Sequence, residues 1–244
     1  MIILPNIEGD SAYSFSLTTF SRTGKLLQIE YALNAVSNGR LSLGIATSDG
    51  VVIATDKKVS SPLIDVDNVG KISEIEKGMG FVYSGLGPDA RVVVRDARKK
   101  AKSYKLMYGE EKTVTEVVKS TASLMQQYTQ SGGVRPFGCS ILAAGLDENN
   151  TPLLYQVDPS GVFMGWRATA IGKGYVSAKG FLEKRWNEDM GIEDGIHTAL
   201  LTMREGFEGE ITGKNIEVGV LRKDTGEFKV LTEEEVQDYL NESS

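Results

Sequence analysis

The sequence is poor in the residues that form disulfides, metal sites and catalytic bases. Its 244 residues include one cysteine, Cys139, and one histidine, His197. A single cysteine excludes an internal disulfide and any metal site built from several cysteines. Cys139 lies in an apolar run, so we expect a buried small hydrophobic residue. His197 has no second ligand in the sequence, so we expect it to pack or to lie at the surface. We therefore predict no cofactor and no metal.

The sequence also lacks a positive net charge and a long hydrophobic run. Its formal net charge is -6, which argues against nucleic acid as a main partner because phosphate binding needs a basic field. No apolar run approaches the roughly 20 residues that cross a bilayer. The start, Met1–Pro5, is apolar but short, and acidic Glu8 and Asp10 follow it, unlike a signal peptide. We expect an intracellular protein with no nucleic-acid partner and no membrane partner.

The remaining pattern predicts one large domain with several antiparallel hairpins. No repeat or linker divides the chain, and its length suffices for a substantial core. Turn signals such as Asp49-Gly50 and Asp224-Thr-Gly226 separate the strand-like runs. These runs are Leu41–Ser48, Val51–Lys57, Ile72–Glu76, Met79–Ser84, Cys139–Leu146, Leu153–Asp158, Val162–Trp166, Ala168–Ile171, Ile216–Arg222 and Glu227–Leu231.

Helical periodicity falls between these runs, and the predicted helices come in pairs. Thr113-Val-Thr-Glu116 and Thr232-Glu-Glu-Glu235 are capping boxes that indicate helix starts. Strands in antiparallel runs with helices in pairs predict an α+β fold: two stacked antiparallel sheets covered by helices on both outer sides. A parallel doubly wound sheet would need strands and helices to alternate. The helices are expected from after Asp89 to about Tyr108, from Thr113 to about Gln130, over Tyr175–Asn187 and Ile192–Phe207, and from Thr232 to about Leu240.

Residues 13–32 predict an extended segment, a glycine turn and an amphipathic helix. Ser21 or Thr23 could cap the helix, and Gly24 allows the turn. The helix would present one apolar stripe and stop at Asn38-Gly39. Taken alone, these residues indicate a helix that covers its own domain. The stripe consists of Leu26, Leu27, Ile29, Leu33 and Val36.

The string Tyr13-Ser-Phe-Ser-Leu-Thr-Thr-Phe-Ser-Arg-Thr-Gly-Lys-Leu-Leu-Gln-Ile-Glu-Tyr-Ala32 resembles the N-terminal motif of proteasome alpha subunits. The similarity continues through Ser84–Val94, Tyr128–Gly138 and Asn215–Val220. It implies the four-layer αββα sandwich of the N-terminal-nucleophile hydrolases. It also implies a non-catalytic ring subunit that serves assembly, gating of the substrate entrance and docking of activators in protein degradation.

The same resemblance implies domains, partners and location. Residues 1–12 would be a gate tail, and residues 13–244 a single domain that begins with a helix at about 24–38. The implied partners are other alpha subunits in a heptameric ring, beta-ring subunits, and activators that bind through their C-terminal tails. The implied location is the cytoplasm and the nucleus.

The family contains active and inactive members, so the nucleophile decides the class. Active relatives use a threonine freed at the mature N-terminus, whose own amine acts as base. Here Ser37-Asn-Gly-Arg40 precedes the first core strand, with no Gly-Thr junction and no threonine at the strand start. We therefore predict no catalytic residue. The competing hypothesis is a free-standing hydrolase of the same fold with an internal nucleophile, for which Ser42 is the nearby candidate.

Two residues lie near positions where active relatives carry an acid and a lysine. For Asp56 we expect local pairing at a strand end. Lys71, in Val69-Gly-Lys-Ile72, matches a lysine that lines a pocket between neighbouring subunits and receives activator carboxylates. Gly24 and Leu26 would form the other wall of this pocket. Without the resemblance, Lys71 would be interpreted as a solvated surface lysine.

The resemblance also assigns gate residues. Tyr13 matches the tyrosine of a Tyr-Asp-Arg cluster, but Ser14 and Phe15 replace the charged pair. Arg22 occupies a turn position where the family often has proline. Tyr31 matches a second gate-associated tyrosine, and the alternative for it is an ordinary half-buried helix aromatic.

Two other patterns carry less information. Gly85-x-Gly87-x-x-Ala90 looks like a dinucleotide fingerprint, but a second helix follows its helix where a parallel strand is needed. A tight strand-to-helix turn is the better interpretation. The following helix is basic, which indicates a solvated face or, by the resemblance, a surface that packs alpha ring on beta ring. Its basic residues are Arg91, Arg95, Arg98, Lys99, Lys100, Lys102 and Lys105.

Overall fold

Two five-stranded antiparallel sheets occupy the middle of the protein. The computed structural model describes residues 18–59, 61, 63–65, 69–207, 209 and 211–242. The first sheet has the order β10-β9-β2-β1-β8 and the second the order β3-β4-β5-β6-β7. The strands are β1 (Ser42–Ala46), β2 (Gly50–Asp56), β3 (Ile72–Glu76), β4 (Met79–Gly85), β5 (Cys139–Leu146), β6 (Pro152–Val157), β7 (Phe163–Trp166), β8 (Ala168–Ile171), β9 (Ile216–Arg222) and β10 (Glu227–Val230).

Helices cover both outer faces of the sheet pair. The side chains of α2 and α3 pack on the second sheet through a core that includes Phe81 and Met125. Those of α4, α5 and α6 pack on the first sheet around Leu182 and Leu200. The predicted four-layer αββα sandwich is therefore confirmed. The helices are α1 (Leu27–Ser37), α2 (Gly87–Tyr108), α3 (Val114–Gln130), α4 (Tyr175–Arg185), α5 (Ile192–Gly206) and α6 (Glu233–Glu242).

A third apolar core joins the two sheets face to face. Ile53 and Leu221 of the first sheet share a buried cluster with Val82 and Leu142 of the second. Close packing of this layer leaves no room at Gly80, where an added Cβ would overlap the ring of Phe228. Burial of this kind stabilises the sandwich by about 25 cal/mol for each Å² of apolar surface removed from water. No described helix is long and apolar enough to cross a membrane.

Local signals predicted the hairpins and one of the two capping boxes. The hairpin at Asp49-Gly50 pairs Ile45 with Val52 in antiparallel register. At the start of α6, the Thr232 N–H donates to Glu235 Oε2 at 2.8 Å, and the Glu235 N–H donates to Thr232 Oγ1 at 3.2 Å. At the start of α3, Thr113 makes no side-chain cap hydrogen bond, so the first predicted capping box is wrong.

The N-terminal helix differs from its prediction in both start and packing. It begins at Leu27, and its N-cap Leu26 provides no side-chain cap. Ser21 Oγ accepts the Lys25 N–H at 3.2 Å, so this serine stabilises the preceding turn instead of the helix. Of the residues in the predicted stripe, only Val36 is buried. The other buried residue of this helix is Ala32, which the stripe did not include. The helix therefore rests on β4 and β5 through a narrow contact.

Candidate functional site

A buried lysine lies at the end of the sandwich where β1 begins. Lys71 immediately precedes β3 and is 7% exposed. Its Nζ donates to Thr55 Oγ1 at 2.6 Å and to the Asp56 carbonyl oxygen at 3.1 Å. Burial lowers the pKa of this ammonium from 10.5 to about 8, although Asp56 and Glu217 act in the opposite direction. Among the described residues, no carboxylate lies within ion-pair distance of Lys71 Nζ.

Two hydroxyls on adjacent strands complete the surroundings of the ammonium. Ser42 and Thr55 are register partners on β1 and β2, and their hydroxyl oxygens lie 2.7 Å apart. Ser42 Oγ donates to the Tyr83 carbonyl oxygen at 2.8 Å, while Lys71 Nζ lies 3.5 Å from Ser42 Oγ. Both hydroxyl residues are 0% exposed. A substrate cannot reach either hydroxyl, which argues against Ser42 as an internal nucleophile.

The backbone around Lys71 is fixed by an acid from the far end of the chain. Glu217 Oε2 accepts the N–H groups of Lys71 at 2.8 Å and Ile72 at 3.1 Å. The ring of Tyr83 lies 5.4 Å from Lys71 Nζ. Glu217 on β9 therefore sets where the β3 strand starts, and with it the position of the lysine.

Asp56 pairs locally, as expected for a strand-end residue. Its Oδ1 accepts the Lys58 N–H at 2.7 Å, and its Oδ2 lies 3.6 Å from Arg40 Nη1. The Asp56 N–H donates to the Leu41 carbonyl oxygen at 3.0 Å. The carboxylate thus joins the end of β2 to the segment that leads into β1.

That segment, Asn38–Arg40, is the position where an active relative would need a free N-terminus. Here it is continuous with α1 and is held from several sides. Ser84 Oγ donates to the Arg40 carbonyl oxygen at 2.8 Å, and the Lys173 N–H donates to the Gly39 carbonyl oxygen at 2.8 Å. An added Cβ on Gly39 would overlap the backbone nitrogen of Gly85. The segment Asn38–Arg40 is therefore part of the packed fold.

The predicted pocket and gate residues are only partly described. Gly24 lies in an exposed turn at φ +77°, where its N–H donates to the Ser21 carbonyl oxygen at 2.9 Å. Leu26 is half-buried, Arg22 is exposed, and Tyr31 is 50% exposed on α1. The described contacts of Lys71 go to strands and not to Gly24 or Leu26. Tyr13, Ser14, Phe15 and the tail 1–12 lie outside the described residues.

Two of the stretches that carry the resemblance meet at the start of α2. The guanidinium of Arg135 forms two hydrogen bonds to Asp89, at 2.6 and 2.9 Å. Asp89 Oδ2 also accepts the Gly138 N–H at 2.8 Å, and the Leu86 N–H donates to the Gly138 carbonyl oxygen at 2.8 Å. The bond to Arg135 lowers the pKa of Asp89. This cluster supports the tight strand-to-helix turn that we predicted there.

The expectations for cysteine and histidine hold in the described chain. Cys139 is 0% exposed, and burial raises the pKa of its thiol to about 12. His197 packs against α6, with its ring centroid 5.5 Å from that of Tyr239. No group of three or more potential metal ligands occurs among the residues that the structure describes.

Sequence reasoning missed three partners of Lys71: Thr55, Tyr83 and Glu217. Only Thr55 carried a local signal, as a hydroxyl residue that directly follows the apolar run Val51–Ala54. Glu217 is 146 positions from Lys71, so no local pattern could connect them. The burial of the lysine was not predicted either, because it depends on β1, β2 and β4 meeting around it.

The fold and the site together define a class of protein. The sandwich is that of the N-terminal-nucleophile hydrolases, yet the chain before β1 is continuous and the nearby hydroxyls are enclosed. A scan against known families matches residues 36–221 to the proteasome subunit family and residues 13–35 to the N-terminal signature of its A-type members. The chain therefore belongs to the proteasome subunit family and carries its alpha-type signature.

Curated relatives refine the similarity within this family. The chain is 57% identical over 234 residues to the alpha type-2 proteasome subunit of Oryza sativa subsp. japonica, covering 96% of this chain and 99% of the relative. It is 58% identical over 234 residues to the alpha type-2-A protein of Arabidopsis thaliana, with the same coverage. The alpha type-2 protein of Drosophila melanogaster is 54% identical over 228 residues, or 93% of this chain and 96% of the relative.

Proposed function

We propose that the chain is a non-catalytic subunit of the alpha ring of the 20S proteasome core particle. In this role it assembles with other alpha subunits into a heptameric ring and packs on a ring of beta subunits. The threonine endopeptidase activity belongs to the beta subunits. The similarity to alpha type-2 subunits over nearly the full chain supports this assignment.

One observation carries the non-catalytic role. The segment Asn38–Arg40 runs unbroken from α1 into β1, with Arg40 Nη1 3.6 Å from Asp56. A terminal nucleophile needs its own free amine as base, which an intact peptide bond at this point prevents. The function of this chain is then positional: it separates the proteolytic chamber from the surroundings, so that only unfolded chains enter.

The gating role rests on the tail. Residues 1–12 would converge over the ring pore with the tails of other subunits, and Tyr13 and Tyr31 would contact the neighbouring tails. Ser14, Phe15 and Arg22 replace residues that are common in the family gate. The half-exposed ring of Tyr31 is accessible for such a contact.

The docking role rests on Lys71. A buried ammonium favours an anionic partner, and the partners of Lys71 in the described chain are hydroxyl and carbonyl oxygens. We propose that Lys71, with Gly24 and Leu26, contributes to a pocket at the border with a neighbouring subunit. The C-terminal carboxylate of an activator would bind there and shift the tails from closed to open, as a population shift driven by differential binding.

We propose that the chain works in a large complex in the cytoplasm and the nucleus. The test is native mass spectrometry of the complex recovered through a tag on this chain, followed by labelling with a threonine-directed electrophile. We expect co-purification with other alpha and beta subunits and label on beta chains alone. A stable monomer, or label on this chain, would refute the proposal.

A further inference from the structure

A basic cavity lies between α2 and the residues Val69 and Gly70 that precede β3. Its volume is about 630 Å³, and its floor is formed by apolar or aromatic groups such as Tyr83 and Val94. Its rim carries Arg91, Arg95 and Arg98 from one face of α2. None of the described residues that line it is acidic, although the chain as a whole has a net charge of -6.

These arginines differ from the other basic residues of the same helix. Lys100 pairs with Asp96 at 2.7 Å, and Lys105 pairs with Glu111 at 2.7 Å. Arg98 Nε donates to the Glu74 carbonyl oxygen at 2.8 Å, a neutral partner. Within the described ranges, Arg91 and Arg95 have no acidic partner within 4 Å.

The arrangement is unfavourable without an anion. Like charges at spacings of three and four residues on a helix repel one another. Three guanidiniums around a common concave surface add their fields, and the apolar floor weakens solvent screening. An anionic occupant would remove this repulsion, and guanidiniums bind carboxylates with two parallel hydrogen bonds.

The spacing of the arginines indicates what kind of anion fits. From Arg91 to Arg98 the helix rises by about 10 Å, at 1.5 Å for each residue. One terminal carboxylate can pair with one guanidinium, or with two adjacent ones, but not with a row of this length. Two or more carboxylate side chains on one segment match the row, and the apolar floor accepts an apolar side chain between them.

We propose that this cavity binds an acidic segment of a neighbouring ring subunit, with at least two Asp or Glu side chains on Arg91, Arg95 and Arg98. Only the source of the segment rests on the proposed ring function. The acid-binding chemistry of the cavity is independent of that function. The basic helix then carries two kinds of basic residue: lysines that pair with acids of this chain, Lys100 and Lys105, and an acid-binding row beside β3.

The chemistry is tested on the isolated full chain with a fluorescein-labelled, C-terminally amidated hexaglutamate peptide. At about 0.15 M salt we expect it to bind more tightly than hexaglutamine by about tenfold or more. The double variant Arg91→Gln/Arg95→Gln should lose this preference, by about tenfold. The matched control, Lys184→Gln/Lys214→Gln, removes two exposed positive charges elsewhere and should bind as the unmodified chain does.

Three results would overturn the chemistry. Equal loss in the control variant would indicate general charge attraction. Binding that requires a free peptide C-terminus would indicate a site for one terminal carboxylate. Equally tight binding of hexauridylate, lost in Arg91→Gln/Arg95→Gln, would indicate a nucleic-acid surface.

The source of the segment is tested in the assembled complex. Arg95→Lys keeps the positive charge and supplies an amine that a carbodiimide joins to an adjacent carboxylate. We expect a cross-link from position 95 to an Asp or Glu of another subunit. Cross-links confined to this chain, or none, would contradict a neighbouring segment. Absence of the chain from any ring complex would refute the proposed function while leaving the peptide result standing.

Discussion

Lys71 Nζ lies 2.6 Å from Thr55 Oγ1, inside a sandwich where both residues are almost completely enclosed. In this chain the ammonium is hydrogen-bonded to hydroxyl and carbonyl oxygens. It lies near the position where active relatives carry a lysine beside their nucleophile. An enclosed ammonium of this kind has consequences for stability and for binding, and they can be measured separately.

The first prediction concerns the pH dependence of stability. Burial lowers the pKa of Lys71 to about 8 from 10.5, so the unfolded chain binds this proton more tightly. This contribution to stability is therefore fully present above pH 10.5. It decreases as the pH falls from 10.5 to about 8, and it is absent below that range. Relative to Lys71→Met, the unmodified chain should gain about 1 kcal/mol of unfolding free energy for each pH unit across that window. Urea denaturation of both chains at several pH values checks this, and parallel curves would contradict it.

The second prediction concerns activator docking. If Lys71 lines the proposed pocket, Lys71→Ala should weaken binding of an activator there, because the bound carboxylate loses its cation. Surface plasmon resonance on complexes with the variant chain measures the change. Lys214→Ala, which removes an exposed lysine, is the control and should leave the affinity unchanged. Equal affinities for the complexes with the unmodified chain, Lys71→Ala and Lys214→Ala would show that Lys71 does not contribute to the pocket.

The third prediction concerns the segment before β1. An alanine at Gly39 would push its Cβ into the Gly85 backbone, so Gly39→Ala should destabilise the chain by about 2 kcal/mol or more. Gly132→Ala is the matched control, because an added Cβ there meets nothing within 4 Å. Its effect should stay within about 0.5 kcal/mol. Thermal denaturation compares the two variants, and equal melting temperatures would mean that the segment is loosely held.

The fourth prediction concerns the bond between Asp89 and Arg135. Asp89→Asn keeps the shape of the side chain but removes the charge that accepts two guanidinium hydrogen bonds. We expect a loss of about 1–3 kcal/mol in unfolding free energy near neutral pH. Because the folded pKa of Asp89 lies below 3.8, this difference should persist above that pH and shrink as pH falls through the folded pKa. Asp189→Asn, an exposed carboxylate, is the control; a loss of the same size in both variants would leave the pair without a specific role.

The fifth prediction concerns the tail. Deletion of residues 1–12 should leave ring assembly intact, since terminal segments contribute little to a packed core. If the tail restricts the entrance, the same deletion raises the basal rate at which the complex hydrolyses small peptides. Native mass and a fluorogenic peptide assay report the two effects. Failure of the ring to form would show that the tail also serves assembly.

The sequence predicted those parts of the fold that depend on neighbouring residues. The hairpin at Asp49-Gly50 and the capping box at Thr232–Glu235 are local, and both are present. The start of α1 was misplaced because Ser21 bonds within its own turn, a choice that sequence spacing cannot reveal. The strand order could not be read from the pattern, because β8 joins β1 across more than a hundred positions.

The candidate site also has a part that the sequence predicted and a part that depends on the folded chain. The absence of a threonine at the start of β1 is visible in the sequence, and the structure adds that Arg40 is held there by Ser84 and lies beside Asp56. The enclosure of Lys71 depends on Thr55 and Glu217, which only the folded chain brings together.

The most direct test of the non-catalytic role is the intact mass of this chain inside the native complex, measured after treatment with a threonine-directed electrophile. We expect a chain with its Arg40–Leu41 bond uncut and no adduct, while other subunits carry the label. A shorter chain beginning near Leu41, with the electrophile on its new N-terminus, would contradict it.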